Sequence, residues 1–143
     1  MKKLIAIILL TMGAQLSSSA QTLSGQAYFQ NTVMGLQKGY GLRVQTNKGL
    51  GIGLVHQSNL KSTMEGADEK YPFYGIETVI PLTKCGNMRF FLTPKAGFVN
   101  EDFFVLIPEV ETEIRITNRF SAAITAGIRA RESSTGIKVL VHL

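Results

Sequence analysis

The stretch Phe103-Phe104-Val105-Leu106-Ile107-Pro108-Glu109-Val110-Glu111-Thr112-Glu113-Ile114-Arg115-Ile116 decides the fold. Its even positions are Phe104, Leu106, Pro108, Val110, Thr112, Ile114 and Ile116. Its odd positions end in Glu109, Glu111, Glu113 and Arg115. Residues two apart share one face of a β-strand, so this run has one apolar face and one charged face. A helical period would mix the two sets around one cylinder.

The same alternation spreads outward from this run. On 119–131 the even set is Phe120, Ala122, Ile124, Ala126, Ile128 and Ala130, and the odd set ends in Arg129 and Arg131. On 70–81 Pro72, Tyr74, Ile76, Thr78 and Ile80 oppose Glu77. On 88–98 Phe90, Leu92, Pro94, Ala96 and Phe98 oppose Thr93 and Lys95. Four further runs, 23–34, 38–46, 49–60 and 135–142, read as strands as well. Breaks are expected at Gly35, Asn47-Lys48, Lys61–Glu69, Cys85-Gly86-Asn87, Asn100-Glu101-Asp102, Thr117-Asn118 and Ser133-Ser134. Asn47-Lys48-Gly49 and Thr117-Asn118-Arg119 suit tight hairpins.

The beginning of the chain is different. Lys2 and Lys3 precede an aliphatic run from Leu4 to Leu10, and Ser18 and Ala20 offer small residues before Gln21. That is a cleavable secretory signal over residues 1–20. The apolar run has about half of the ~20 residues that a spanning helix needs. The remainder, 21–143, is expected to be one domain outside the cytoplasm. The net charge is +5, two units of which are Lys2 and Lys3. This mild excess after export argues against a nucleic-acid partner. Cys85 is the sole cysteine, so no intrachain disulfide stabilises the domain.

Eight antiparallel strands with short connections predict an all-β fold, an up-and-down meander closed into a barrel. Closure removes the exposed edges of an open sheet, and eight strands leave an interior that side chains fill. Glycines within the runs, among them Gly39, Gly41, Gly75, Gly97 and Gly127, fit a wall that must bend. Gly49-Leu50-Gly51-Ile52-Gly53 lacks both the spacing of a phosphate loop and a following helix, so a curvature role is preferred there.

Period two alone leaves the facing open. In a membrane barrel the apolar face meets lipid and Arg43, Glu77, Lys95, Glu111, Glu113, Arg115 and Arg129 pair inside. In a soluble barrel the faces are exchanged, and a small apolar ligand is bound within. Three features favour the membrane. Runs of about nine to eleven residues match a tilted span. The connections on the Lys61–Glu69 side are expected to be the longer ones. Aromatics gather near strand ends: Tyr71, Phe73, Tyr74, Phe98, Phe103 and Phe104 on the loop side, Phe90, Phe91 and Phe120 on the turn side.

The cleavage site before Gln21 and the closing strands Arg119–Arg129 and Gly136–Leu143 resemble the small outer-membrane β-barrel families of Gram-negative bacteria, of the Bacteroidetes type. The resemblance implies an outer-membrane location, or the periplasm under the soluble alternative. It implies contact with outer-membrane lipid or lipopolysaccharide and a structural, adhesion or interaction role without catalysis. Loop 61–69 is the expected contact for a protein partner, and a monomer is expected. The chain departs from these families in its last residues, Val139-Leu140-Val141-His142-Leu143, which lack a terminal aromatic.

A second resemblance is local. His56-Gln57-Ser58-Asn59 looks like the H-x-S-N motif of the lipid A 3-O-deacylases, which are also eight-stranded outer-membrane barrels. It implies His56 as base, Ser58 as nucleophile, Asn59 as an oxyanion donor and a downstream acid. Glu65, Asp68 and Glu69 follow in the loop. In that family the motif lies near the C-terminal end, whereas here it lies in the third strand. The preferred reading is a surface His and a strand-end Ser, with no catalytic residue assigned.

No cofactor is expected. His56 and His142 are the only histidines, so no metal site is expected either. Glu109, Glu111 and Glu113 are read as an interior ladder or a solvated face rather than as paired glycosidase carboxylates.

Overall fold

The computed structural model describes residues 21–32, 35–61, 72–129 and 132–143. The proposed signal, residues 1–20, lies outside them. Ten β-segments follow one another: β1 (Gln21–Thr32), β2 (Gly35–Thr46), β3 (Gly51–Lys61), β4 (Phe73–Cys85), β5 (Met88–Leu92), β6 (Lys95–Val99), β7 (Phe103–Ile107), β8 (Glu109–Arg115), β9 (Phe120–Arg129) and β10 (Glu132–His142). β5 and β6 are one strand interrupted at Thr93-Pro94, and β7 and β8 one strand interrupted at Pro108. Proline has no N–H to give the ladder, so regular pairing lapses there. The carbonyls still take part: Thr78 N–H donates to Pro94 O at 3.0 Å, and Ile128 N–H to Pro108 O at 3.0 Å.

Each strand pairs antiparallel with the next, and β1 pairs with β10 from Ser24↔His142 to Asn31↔Thr135. The eight strands therefore close, as the alternation predicts. Gln21, at the start of β1, and Leu143 lie at the end that carries the β2–β3, β4–β5 and β8–β9 turns; this is the turn end. The Asn47–Gly49 hairpin is held by Gly49 N–H to Thr46 O at 2.8 Å, with Gly49 at φ +87°. Only glycine reaches that region without strain. At the other end, the loop end, Asn100 and Glu101 both adopt positive φ in a tight turn between Val99 and Phe103.

Three expectations need correction. The loop-end connections are not generally longer: apart from the 62–72 segment they are as short as the turns. The fourth strand continues past Pro81 to Cys85, with a bulge between Pro81 and Thr83. The break expected at Ser133-Ser134 is part of β10. Ser134 is buried and accepts a hydrogen bond from Gln30 Nε2 at 3.2 Å. A polar interior puts serines inside strands, so polarity is a poor marker of turns in this fold.

The facing is that of a membrane barrel. Leu106, Ile124 and Ile137 are 64%, 61% and 62% exposed, whereas Arg43, Glu77 and Glu113 are fully buried. Buried polar and charged residues outnumber buried apolar ones about two to one among the described residues. A soluble barrel around an apolar ligand requires the reverse.

Glycine has a second role besides curvature. The ring of Tyr28 lies over Gly39, where a Cβ would come within 2.3 Å of Tyr28 Cζ. Phe73 covers the cross-strand pair Gly75↔Gly97 in the same way. Interior aromatics thus fill the space that absent side chains leave.

Candidate functional site

The lumen carries the densest chemistry. Inward residues come from one parity on each strand: even on β1 and β10, odd on the rest. Counting strands around the ring, Arg43 comes from the second, Glu77 from the fourth, Glu111 from the sixth and Lys138 from the eighth. Strand tilt brings such alternate-strand residues to one level, as in other eight-stranded barrels.

These four residues form a square of alternating charge. Arg43 Nε donates to Glu77 Oε1 at 2.9 Å, and its Nη1 to Glu111 Oε1 at 2.8 Å. Lys138 Nζ donates to Glu77 Oε2 at 3.1 Å and to Glu111 Oε2 at 2.5 Å. Each cation touches both anions, so the knot is neutral. Lys95 and Glu109 make a further pair at 2.9 Å on the loop side, where Gln30 Nε2 also donates to Glu109 at 2.9 Å. Gln57, Gln37, Asn59 and Arg129 extend the hydrogen bonds toward the loop end. On the turn side Arg89 pairs with Glu113 at 2.5 Å.

Of the two readings of Glu109, Glu111 and Glu113, the interior ladder holds and the solvated face does not. Arg115, expected in it, instead lies exposed at the turn end. Large side chains fill the lumen at this level, Arg43, Lys95, Lys138, Glu77 and Glu111 among them. Glu77, Glu109 and Glu111 bring carboxylate oxygens within 4.8 Å of one another. Arg43, Lys95 and Lys138 already neutralise them, which leaves little attraction for a metal ion.

His142, like Lys138 and Arg89, is a lumen residue that the sequence pattern does not single out. Its Nδ1 lies 2.8 Å from Ser24 Oγ and its Nε2 lies 2.7 Å from Ser121 Oγ. One serine accepts from the ring N–H and the other donates to the bare nitrogen. The even parity shared with Lys138 was the available signal.

The H-x-S-N residues divide between two faces. His56 and Ser58 point outward, whereas Asn59 points inward and accepts from Gln37 Nε2 at 2.8 Å. The His56 ring stacks on Tyr74 at 4.4 Å and meets the edge of Tyr40 at 5.0 Å. Both tyrosines are its cross-strand partners in register. Below this row opens an apolar groove of about 520 Å³, lined by Tyr40, Leu42, Leu54, His56 and Tyr74. Glu65, Asp68 and Glu69, the candidate acids, lie outside the described residues, as does nearly all of loop 61–69.

The outer wall carries part of the expected aromatic belts. Tyr74, Phe98, Phe103, Phe104 and Phe120 are exposed, with Phe98 edge-on to Phe104 at 5.6 Å. Phe73 and Phe91 are not in a belt: they share the odd parity of Glu77 and Thr93 and are buried in the lumen. Tyr71 lies outside the described residues.

The fold and its two faces define a closed eight-stranded barrel of transmembrane type, apolar without and charged within. No protein-family model matches the sequence, and comparison with curated proteins finds no relative. Two solved structures of designed barrels share the fold. A barrel described under "De novo design of transmembrane beta-barrels" matches with a TM-score of 0.71 at 8% identity, over 85% of this chain and 95% of that one. The solution structure of the designed barrel TMB2.3 matches with a TM-score of 0.64 at 8% identity, over 88% and 97%. Neisserial surface protein A matches with a TM-score of 0.45 at 10% identity, over 86% and 94%.

Proposed function

We propose that this chain is a small, monomeric outer-membrane β-barrel with a structural, adhesion or interaction role and no catalysis. One observation carries the reading: the strands bury a neutral Arg43–Glu77–Glu111–Lys138 knot and turn leucines and isoleucines outward. Water penalises that outer face, and lipid does not. Outer-membrane lipid, lipopolysaccharide included, is its partner along the wall, and loop 61–69 is its contact toward other molecules. The signal over residues 1–20 would deliver it.

Membrane fractionation tests the reading, with gel migration compared before and after boiling. The protein is expected in the outer-membrane fraction with a heat-dependent shift. Recovery from the soluble periplasm without a shift overturns it.

The groove beside His56 favours a second reading, a lipid A deacylase-like hydrolase using His56 and Ser58 on the outer face, without the inward-pointing Asn59. Here an acyl chain lies in the groove under the His56 ring. Replacing Ser58 by Ala would then abolish acyl release while the barrel stays folded. Unchanged lipid A in cells overproducing the wild type counts against it.

A further inference from the structure

Among the described residues, the two ends of the barrel expose different charges. Lys48, Lys84, Arg115 and Arg119 are exposed at the turn end. The acids nearest to it among the described residues, Glu111 and Glu113, are buried; Glu111 is paired through both oxygens and Glu113 through Oε1 alone. At the loop end Glu101, Asp102 and Glu132 are exposed.

Arg115, with Arg89, lines a cavity at the turn end. It measures about 150 Å³ and is lined by Thr22, Gln45, Asn47, Arg89, Arg115 and His142 among others. Arg89 and Arg115 also line a second cleft of about 90 Å³ with Lys84. Lys84 and Arg89 are cross-strand partners, and Arg115 N–H is tied to Asn87 O at 3.2 Å, so the three cations stand on adjoining backbone. Glu113 offsets only one of them. Like charges held this close repel unless something balances them.

The hydrogen-bond inventory points the same way. Arg89 Nη2 is spent on Glu113, but Arg89 Nε is buried with no acceptor among the described residues. Among the described residues Arg115 Nη2 reaches the carbonyl of Asn118, at 3.2 Å. Guanidinium groups recognise carboxylates and phosphates through paired N–H donors. Gln45, Asn47 and Thr22 add neutral polar groups around the same space, and nothing apolar large enough to exclude an anion lies among these residues.

We infer that the turn-end mouth of the barrel binds a small oxyanion, a carboxylate or phosphate group, between Arg89 and Arg115 with His142 at its floor. The location of that mouth on the periplasmic side rests on the outer-membrane reading; the binding itself does not. The cavity lies within the barrel rim, so its ligand arrives from solution rather than from lipid against the outer wall.

The test uses the full mature chain folded in detergent micelles, with folding verified by the heat-dependent gel shift. Arginine Nε resonances are followed while inorganic phosphate or acetate is added at constant chloride. A saturable shift at Arg89 is expected. Arg115→Gln should weaken binding about tenfold, the loss of one charge-assisted contact. Arg119→Gln, outside the cavity lining, should leave it unchanged. Response to phosphate alone assigns the site to phosphate groups, and response to acetate alone to carboxylates; both support it. No saturable shift in a barrel that keeps its gel shift overturns the inference and leaves the membrane reading standing. So does binding that Arg115→Gln does not weaken, or that Arg119→Gln weakens equally. A protein with no gel shift and no membrane fraction, by contrast, fails the earlier reading.

Discussion

β8 presents two surfaces one residue apart. Glu109, Glu111 and Glu113 point into the lumen, where each meets a cation. Val110 and Ile114 point outward and stay half exposed. The inner surface depends on specific partners: a charge removed there strands its neighbour in a medium that solvates it poorly. The outer surface depends on its surroundings, for its side chains need only an apolar neighbourhood of any shape. One strand therefore encodes two kinds of stability, one carried by named contacts and one by the solvent outside.

The largest effect should come from breaking a named contact. Arg43→Met leaves Glu77 and Glu111 sharing Lys138 alone, and should cost about 3–5 kcal/mol. Urea unfolding in lipid vesicles would measure it. A much smaller loss would mean that the knot does not tie the strands together. The compensated triple change Arg43→Met, Glu77→Gln, Glu111→Gln removes charge on both sides and leaves Lys138 as the excess, so it should recover only part of the loss.

Next comes a change on the other surface. Ile124 stands midway along β9, opposite Thr112 and Ile137. Ile124→Arg should cost about 2–4 kcal/mol in a bilayer, because the guanidinium then faces hydrocarbon. Near either end of the same strand, Phe120→Arg or Ile128→Arg should cost less. A flat profile along β9 would mean that the wall is not immersed.

The smallest effect belongs to the aromatic row. Tyr40→Ala removes the edge contact to His56 and should cost about 0.2–1 kcal/mol, the usual value of a cross-strand pair. A loss several times larger would show the row to be a structural clamp.

Parity made most of this legible in the sequence. The run 103–116 alone states which residues share a face, and the closed barrel follows from eight such runs. Parity did not by itself say which face is wet; the buried Glu77 and exposed Leu106 answer that. The misplacements share one physical cause. Phe73 and Phe91 were assigned to belts because they sit near strand ends, yet their odd positions put them inside. Ser133-Ser134 was read as a turn because it is polar, although a polar lumen needs such residues. Most of the charged partners are legible, but not Lys138 or Arg89, and their matching depends on tilt between strands far apart in sequence, such as the separation of 68 between Arg43 and Glu111. The His142 bridge between Ser24 and Ser121 depends on β1 closing against β10, a contact that no local pattern contains.

The alternate-strand origin of the Arg43–Glu77–Glu111–Lys138 knot has a mechanical consequence. Its members are fixed to every second stave of the cylinder, and each cation reaches two of the others. Squeezing the cylinder along any diameter must stretch some of these bonds while it shortens others. A thin wall of paired strands flexes easily, whereas one cross-braced at its waist keeps a round section. Lateral pressure from the surrounding bilayer would then be borne by four ion pairs as well as by the backbone ladder.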